Sequence, residues 1–352
     1  MSPSPRDPAA ARAAGRRVTM RDVAHAAGVS QALVSIVFRG APGAGEQTRE
    51  HVLKVAAELG YRRDERARLL RQGASRLLGV AFEAGQPFHG ELVDGLHVAA
   101  RALGRDVVLA AVTAHRDEED AVEGLLRDRC EALVLLGGAL PEQRLERIAQ
   151  ELPVVSVTRR LESPAVASVA TDDHRGAVLA VEHLAGLGHR RIAYLEAGRA
   201  AGGARRRAGW AEAVAAAGLG AEAVVEPAEA SEAGGAAALD RLLDRDPAPT
   251  AVVAFNDRCA AGVVGQALAT GLAVPRDLSV VGFDDSAQAR LPYLDLTTLA
   301  QDPALLARTA VELAVAPRDA APAAHVELGT RLVVRGSTGP PRTQGPDRPD
   351  AR

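Results

Sequence analysis

Between Val18 and Arg39 (VTMRDVAHAAGVSQALVSIVFR) the apolar positions fall into two short helical stripes. Val23, Ala24 and Ala27 share one face of a helix predicted from about Met20 to Ala27. Thr19 and Asp22 are spaced so that each side chain can satisfy an unpaired amide of the first turn, and Gly28 permits a left-handed residue at its end. Ser30 is a suitable N-cap for a second helix, with Val34 and Val37 inward. A third helix, Thr48–Leu59 (TREHVLKVAAEL), brings Val52, Val55, Ala56 and Leu59 to close a small core and stops at Gly60-Tyr61. Two short helices joined at a glycine turn and closed by a third form a helix-turn-helix candidate. Its second helix would enter a DNA major groove.

Beyond Leu77 the period changes. Continuous runs of Val, Leu and Ala predict strands at Leu77–Phe82, Val107–Val112, Ala132–Leu136, Val154–Val157, Arg191–Leu195, Ala251–Phe255 and Leu278–Phe283. Helical stretches lie between them, at Glu91–Leu103, Glu118–Arg127, Glu142–Glu151, Arg175–Leu187, Arg206–Ala217, Gly234–Leu243 and Asp257–Thr270. Apolar strands alternating with helices argue for parallel sheets covered on both faces. With return segments near His325–Val334, they suit two doubly wound lobes joined by chain crossings near Thr171, Thr297 and His325.

Composition narrows the class. A chain of 352 residues accommodates a small domain and a large one. Two cysteines, Cys130 and Cys259, supply neither a disulfide framework nor a metal-ligand spacing, which suits a reducing cytoplasm. The opening segment has no apolar signal core and no run approaches membrane-spanning length, so neither export nor membrane insertion is expected. Residues 1–17 and 337–352, rich in Pro, Arg and Ala or Gly, read as disordered tails. The net charge of −3 conceals a split: residues 1–73 hold 13 basic and 7 acidic side chains, the remainder 29 and 38. A cationic head on an acidic body is what phosphate binding by one end requires. Lys54 is the only lysine, so the composition favours arginine, but that bias does not explain why the excess sits at one end.

Ligands of open α/β sheets bind beyond the carboxyl ends of the strands. Of only nine aromatic residues, Phe82, Phe255 and Phe283 fall at or beside such ends. Asn256-Asp257 and Asp284-Asp285 follow two of them, and Phe88-His89 stand in the loop after the first strand. Flat apolar faces beside amide and carboxylate groups suit a polyhydroxylated small molecule. The competing reading makes the phenylalanines plugs of the sheet ends, and is preferred for Phe82. Asp257 and Asp285 read as helix caps. There is no Walker loop, strand-linked G-x-G-x-x-G, G-x-S-x-G or paired Cys/His spacing, so no catalytic residue, metal or cofactor is expected.

From Val18 to Leu70 the chain closely resembles, without a gap, the lactose-repressor (LacI/GalR) family of bacterial transcription regulators. The likeness is carried by VTMRDVAHAAGVS, LVS, TRE, V-x-x-x-AAELGY and ARLL, and continues through the long second domain in RRAGW, AFND and GFDD. It implies an all-α helix-turn-helix DNA-binding domain at 18–63, a hinge helix and linker at 64–75, and an α/β two-lobed effector domain at 76–336. That last domain would be periplasmic-binding-protein-like, built on doubly wound parallel sheets. By resemblance Gln31, Ala32 and Ile36 face base edges, with Ser35 and Arg39 nearby, while Thr19, Ser30 and Thr48 hold phosphates and Tyr61 completes the DNA-binding set. Many members carry arginine at Ile36 and asparagine at Arg39, so the operator should differ from the usual one. Asp64–Gln72 resembles a hinge helix that folds on DNA, with Asp64 at its entry, Ala67 at the helix pair and Leu70 as the minor-groove wedge.

In the larger domain the resemblance implies Arg206, Asn256 and Asp284 as polar ligand contacts, with Phe88, His89, Phe255 and Trp210 around the pocket. The arginine and a carboxylate are expected on opposite walls, holding the lobes together. Thr158 stands where many relatives have aspartate, which changes the effector's chemistry, and Gln301 is assigned to a lobe crossing rather than to ligand. The function implied is that of a cytoplasmic homodimeric repressor of palindromic double-stranded operator DNA, allosterically controlled by a sugar-like effector. A regulator answering to a protein partner or to no effector stays open. So does an α/β enzyme acting on a sugar or nucleotide.

Overall fold

A computed structural model describes residues 18–61, 75–317 and 323–342. The chain divides between Ala74 and Ser75 into two compact units. Asp64, Ala67 and Leu70, expected in the hinge, lie outside the described residues.

The first unit is three helices, α1 (Met20–Ala26), α2 (Gln31–Arg39) and α3 (Glu46–Glu58). Thr19 and Asp22 form a complete capping box on α1, and Ser30 accepts from the Leu33 amide at 3.2 Å to cap α2. Gly28, at φ +65°, makes the turn between them. Val23, Val34, Val37, Val52 and Ala56 are buried at the centre. One residue missed in the sequence fixes the far end of α2: Arg49 donates to the carbonyls of Val37 and Ala41, both at 3.1 Å. The Val37 carbonyl also accepts from the Gly40 amide at 3.1 Å, and Ala41 lies just past the helix, so the guanidinium clamps the turn that leaves α2.

The second unit holds two six-stranded sheets. The first lobe contains β1 (Leu77–Glu83), β2 (Asp106–Val112), β3 (Ala132–Leu136), β4 (Val154–Val157), β5 (Ala167–Thr171) and β11 (His325–Leu328), in the order β11-β5-β4-β3-β1-β2 and all parallel. The second lobe contains β6 (Ile192–Glu196), β7 (Val224–Pro227), β8 (Ala251–Val253), β9 (Ser279–Asp284), β10 (Thr297–Ala300) and β12 (Arg331–Val333), ordered β12-β10-β9-β8-β6-β7, with only β12 antiparallel to its neighbour. Helices α4 (Pro87–Ala102) and α11 (Pro303–Val315) cover one face of the first sheet, and α5 (Glu118–Arg127) and α6 (Glu142–Ala149) the other. In the second lobe α7 (Asp173–Gly186) and α8 (Gly203–Ala216) face α9 (Glu232–Leu243) and α10 (Asp257–Ala269) across the sheet. Burial on both faces is why the strands read as unbroken apolar runs.

The chain crosses between lobes after Thr171, after Ala300 and between β11 and β12. The last two crossings lie a few residues beyond the expected Thr297 and His325. Residues 337–342, expected in a disordered tail, are packed on the second lobe. The Ser337 hydroxyl donates to the Val280 carbonyl at 2.6 Å, the Gly339 carbonyl meets His189 at 2.9 Å, and Arg342 pairs with Asp277. Among the described residues, no helix is long and apolar enough to cross a membrane.

Candidate functional site

In the first unit α2 presents one polar side outward. Gln31, Ala32 and Arg39 are exposed, while Ser35 and Ile36 are half-buried at its edge. Arg39 folds back, its Nε 3.2 Å from the Ser35 carbonyl. Because Ser30 accepts at its oxygen, its hydroxyl proton remains available to a phosphate; Thr19 differs, since its hydroxyl donates to Asp22 at 2.7 Å. Thr48 lies in the first turn of α3, whose N-cap is Gly45 and brings no side chain to the free amides. Such an uncapped end favours an anion. Tyr61, half-buried, packs its ring edge-on against Phe38 at 5.4 Å and helps to close the three-helix core.

In the second unit a cleft of about 420 Å³ opens beyond the carboxyl ends of both sheets, lined by both lobes. Of the expected contacts, Phe88, His89, Thr158, Arg206, Phe255, Asn256 and Asp284 line it. Phe88 and His89 sit in the first turn of α4, not in a loop. Trp210 is not among the lining residues. One turn beyond Arg206, it is buried in the second lobe with its ring stacked 5.7 Å from Tyr194, so it serves the core. Gln301, assigned to a crossing, does both: it follows β10 and lines the cleft.

Arg206 anchors the second-lobe wall. Its Nε donates to Asp173 at 2.8 Å and Nη1 to the Phe255 carbonyl at 2.6 Å. Its guanidinium lies 3.6 Å from the Phe283 ring centre and 4.7 Å from that of Phe255. Burial works against its charge, but Asp173 and Asp284 more than offset this and raise its pKa. Two of five N–H groups are used, so donors remain for an acceptor in the cleft. Asp173, which no motif singled out, follows β5 in TDDH; a buried arginine demands such a partner.

Asp284 ends β9 with φ 123° and Asp285 follows at 53°, while Thr158 follows β4 at 65°. Non-glycine residues in such regions are strained and cluster where a backbone is held for a purpose. Here the holding is visible: Asp285 pairs with Arg335 at 2.5 Å, and the Ser286 amide donates to Asp257 at 2.7 Å. Neither Asp257 nor Asp285 caps a helix, contrary to expectation; Asn256 does, accepting from the Cys259 amide at 2.8 Å. Burial pushes the Asp284 carboxyl well above its usual range, with Arg206 opposing, and Gln301 Nε2 donates to it at 2.7 Å.

His89 is the first lobe's counterpart. Its Nδ1 accepts from the Glu83 amide at 3.1 Å and burial lowers its pKa to about 4, so the ring is neutral and Nε2 carries the proton. Gly137, at φ +66°, leaves room for that edge; a Cβ there would lie 3.0 Å from Nε2.

Arg206 and Asp284 stand on one lobe, not on opposite walls. The lobes are bridged elsewhere. Gln301 accepts from Thr171 at 2.7 Å while holding Asp284, Asn256 Nδ2 reaches Gln86 at 3.4 Å, the Ala287 amide donates to Glu91 at 2.7 Å, and Arg205 pairs with Glu327 at 2.6 Å.

Comparison with known proteins agrees with both units. Residues 19–64 match the family model described as bacterial regulatory proteins, lacI family, and residues 181–338 a periplasmic binding protein-like domain. The HTH-type transcriptional regulator GalR of Escherichia coli K12 is 34% identical, covering 92% of this chain and 96% of that protein. A LacI transcriptional regulator from a Rhodococcus species superimposes with a TM-score of 0.73 at 45% identity, over 75% of this chain and 98% of that one. The lac repressor dimer bound to operator and the anti-inducer ONPF gives a TM-score of 0.78 at 29% identity, over 92% and 100%. The chain is thus a member of the lacI family of bacterial regulatory proteins, a helix-turn-helix transcription regulator with a two-lobed periplasmic-binding-protein-like domain.

Proposed function

We propose that the chain is a cytoplasmic repressor that binds a palindromic operator as a homodimer and changes its DNA affinity when a neutral sugar enters the cleft. The observation that carries this reading is the cleft's chemistry. Protonated Nε2 of His89, free guanidinium donors of Arg206 and the Asn256 amide nitrogen share the cleft with the Asp284 carboxyl and the Phe255 ring, and residues of both lobes line the space. Such a mixture pairs with hydroxyls and a flat apolar face without demanding a charge. A ligand touching both lobes favours one arrangement over another by its differential affinity, which is all that control requires.

On the DNA side, Gln31 offers a bidentate partner for adenine, Ile36 an apolar contact for a thymine methyl, and Ser30 and Thr48 phosphate contacts. Two copies related by a two-fold axis present two such helices to half-sites about one helical turn apart. The test is selection of bound fragments from random duplexes by the purified chain, with and without candidate sugars. Recovery of a palindrome whose yield changes with one sugar supports the proposal. Binding indifferent to sequence, or to every sugar, refutes it.

A further inference from the structure

Beyond the same strand ends, toward the β2 edge, lies a second cavity of about 470 Å³ lined wholly by the first lobe. The sheet order β4-β3-β1-β2 sets the strand ends in a row. The effector cleft takes the ends of β4, β3 and β1 through Thr158, Gly137 and Glu83; the second cavity takes those of β3, β1 and β2 through Gly137, Glu83 and Thr113. Glu83, Gly137 and Ala139 line both. The partition is therefore the short Gly137–Ala139 segment together with the exposed Glu83.

That partition is held from two sides. Glu118, at the start of α5, accepts from the amides of Ala139 and Leu140 at 2.7 and 2.9 Å, while Arg159 donates to the carbonyls of Gly138 and Leu140 at 3.0 and 2.6 Å. Gly138 packs directly on the Glu118 carboxylate, where a side chain would collide. Apolar walls come from Phe82, Val112, Leu136 and Leu140, and carboxylates from Asp117, which also caps α5, and Glu119, which also pairs with Arg144. An aromatic face with carboxylates at the rim suits the two sides of a sugar ring, whereas the same carboxylates repel a phosphate or a uronate.

We infer that the two cavities form one groove and that the effector is a neutral two-ring glycoside, its first ring in the cleft and its second against Phe82 and Leu140. This rests on the reading of the cleft as the effector site. Calorimetric titration of the full chain with glucose, galactose, maltose, cellobiose and lactose tests it, alongside Leu140→Trp and Val112→Phe, neither of which lines the cleft. At least one disaccharide should bind at least tenfold more tightly than its own monosaccharides. Both variants should erase that margin while binding the monosaccharide as the unaltered chain does, which also shows that they fold. Monosaccharides binding as tightly as disaccharides, or a margin that survives both variants, overturns the extension and leaves the cleft reading standing. Silence from every sugar in the panel removes both.

Discussion

Arg206→Ala removes the group around which the second-lobe wall is assembled. The residue is 5% exposed, pairs with a similarly buried Asp173 at 2.8 Å and sets its guanidinium over the Phe283 ring. Truncation strands the Asp173 carboxylate without its counter-charge, and losing one half of a buried pair costs roughly 3–5 kcal/mol. At roughly 2–4 °C per kcal/mol for a large domain, the melting temperature of the effector unit should fall by roughly 6–20 °C. Burial already pushes the Asp173 carboxyl above its usual range, with Arg206 opposing. Without the arginine that push is unopposed. A carboxyl whose folded pKa exceeds its unfolded one loses stability as pH rises through the folded value, so the variant should melt higher as the pH is lowered from neutral. Adding Asp173→Asn removes the stranded charge and should restore more than half of the lost melting temperature. The double variant, folded but lacking the donor, should no longer answer to effector while its operator affinity stays near normal. Scanning calorimetry across pH, followed by operator titration, measures all of this. A single variant losing less than about 1 kcal/mol would refute the reasoning, because the pair would then not be buried in the sense of the argument. A double variant that melts below the single one would refute it as well.

Three further outcomes are expected. Arg49→Ala removes two hydrogen bonds, to the Val37 and Ala41 carbonyls, and should destabilise the three-helix unit by about 1–2 kcal/mol, read by thermal unfolding, with operator binding weakened in parallel. His89 has a folded pKa near 4 against 6.5 when unfolded, so its neutral form stabilises the fold above pH 6.5 and that stability is lost as pH falls toward 4; His89→Gln should flatten this part of the melting-temperature profile. Gly137→Ala forces a Cβ at φ +66° to within 3.0 Å of the His89 ring, and should cost about 1–2 kcal/mol in unfolding experiments and weaken effector binding by calorimetry.

The regular elements were legible wherever one interaction ruled. Thr19, Asp22 and Ser30 signal helix starts by local hydrogen bonding alone, and the structure uses each in that way. Long apolar strands such as Ala132–Leu136 needed nothing but their composition. Shorter ones escaped: β5 (ASVAT) and β7 (VVEP) hold too few large apolar residues to stand out, and become strands because neighbours pair with them. Helix α11 was overlooked although Asp302 caps it and Pro303 opens it, signals as plain as those of α1. In the site, residue types pointed to the cleft but not to their partners. Asp173 is separated from Arg206 by a whole helix, and only the fold reveals that Asp284 and Arg206 share a lobe. Trp210, placed around the pocket by resemblance alone, stacks instead on Tyr194 in the second-lobe core, a contact that no local pattern announces. Residues 337–342 looked like a tail because their contacts are made by backbone and small hydroxyls, which leave no apolar pattern.

The crossings have a consequence for biosynthesis. Leu306, Ala307, Ala310 and Val311 of α11 belong to the same apolar cluster as Val80 and Leu92, and β11 pairs with β5. The lobe begun first on the ribosome is therefore completed only after all of the second lobe but β12 and the segment following it has been made. Until Leu328 has emerged, that nascent lobe carries a bare sheet face and an open edge, while its neighbour waits for β12. Both lobes reach completion within a few residues of each other, so a message cut short before Pro303 yields no finished lobe at all.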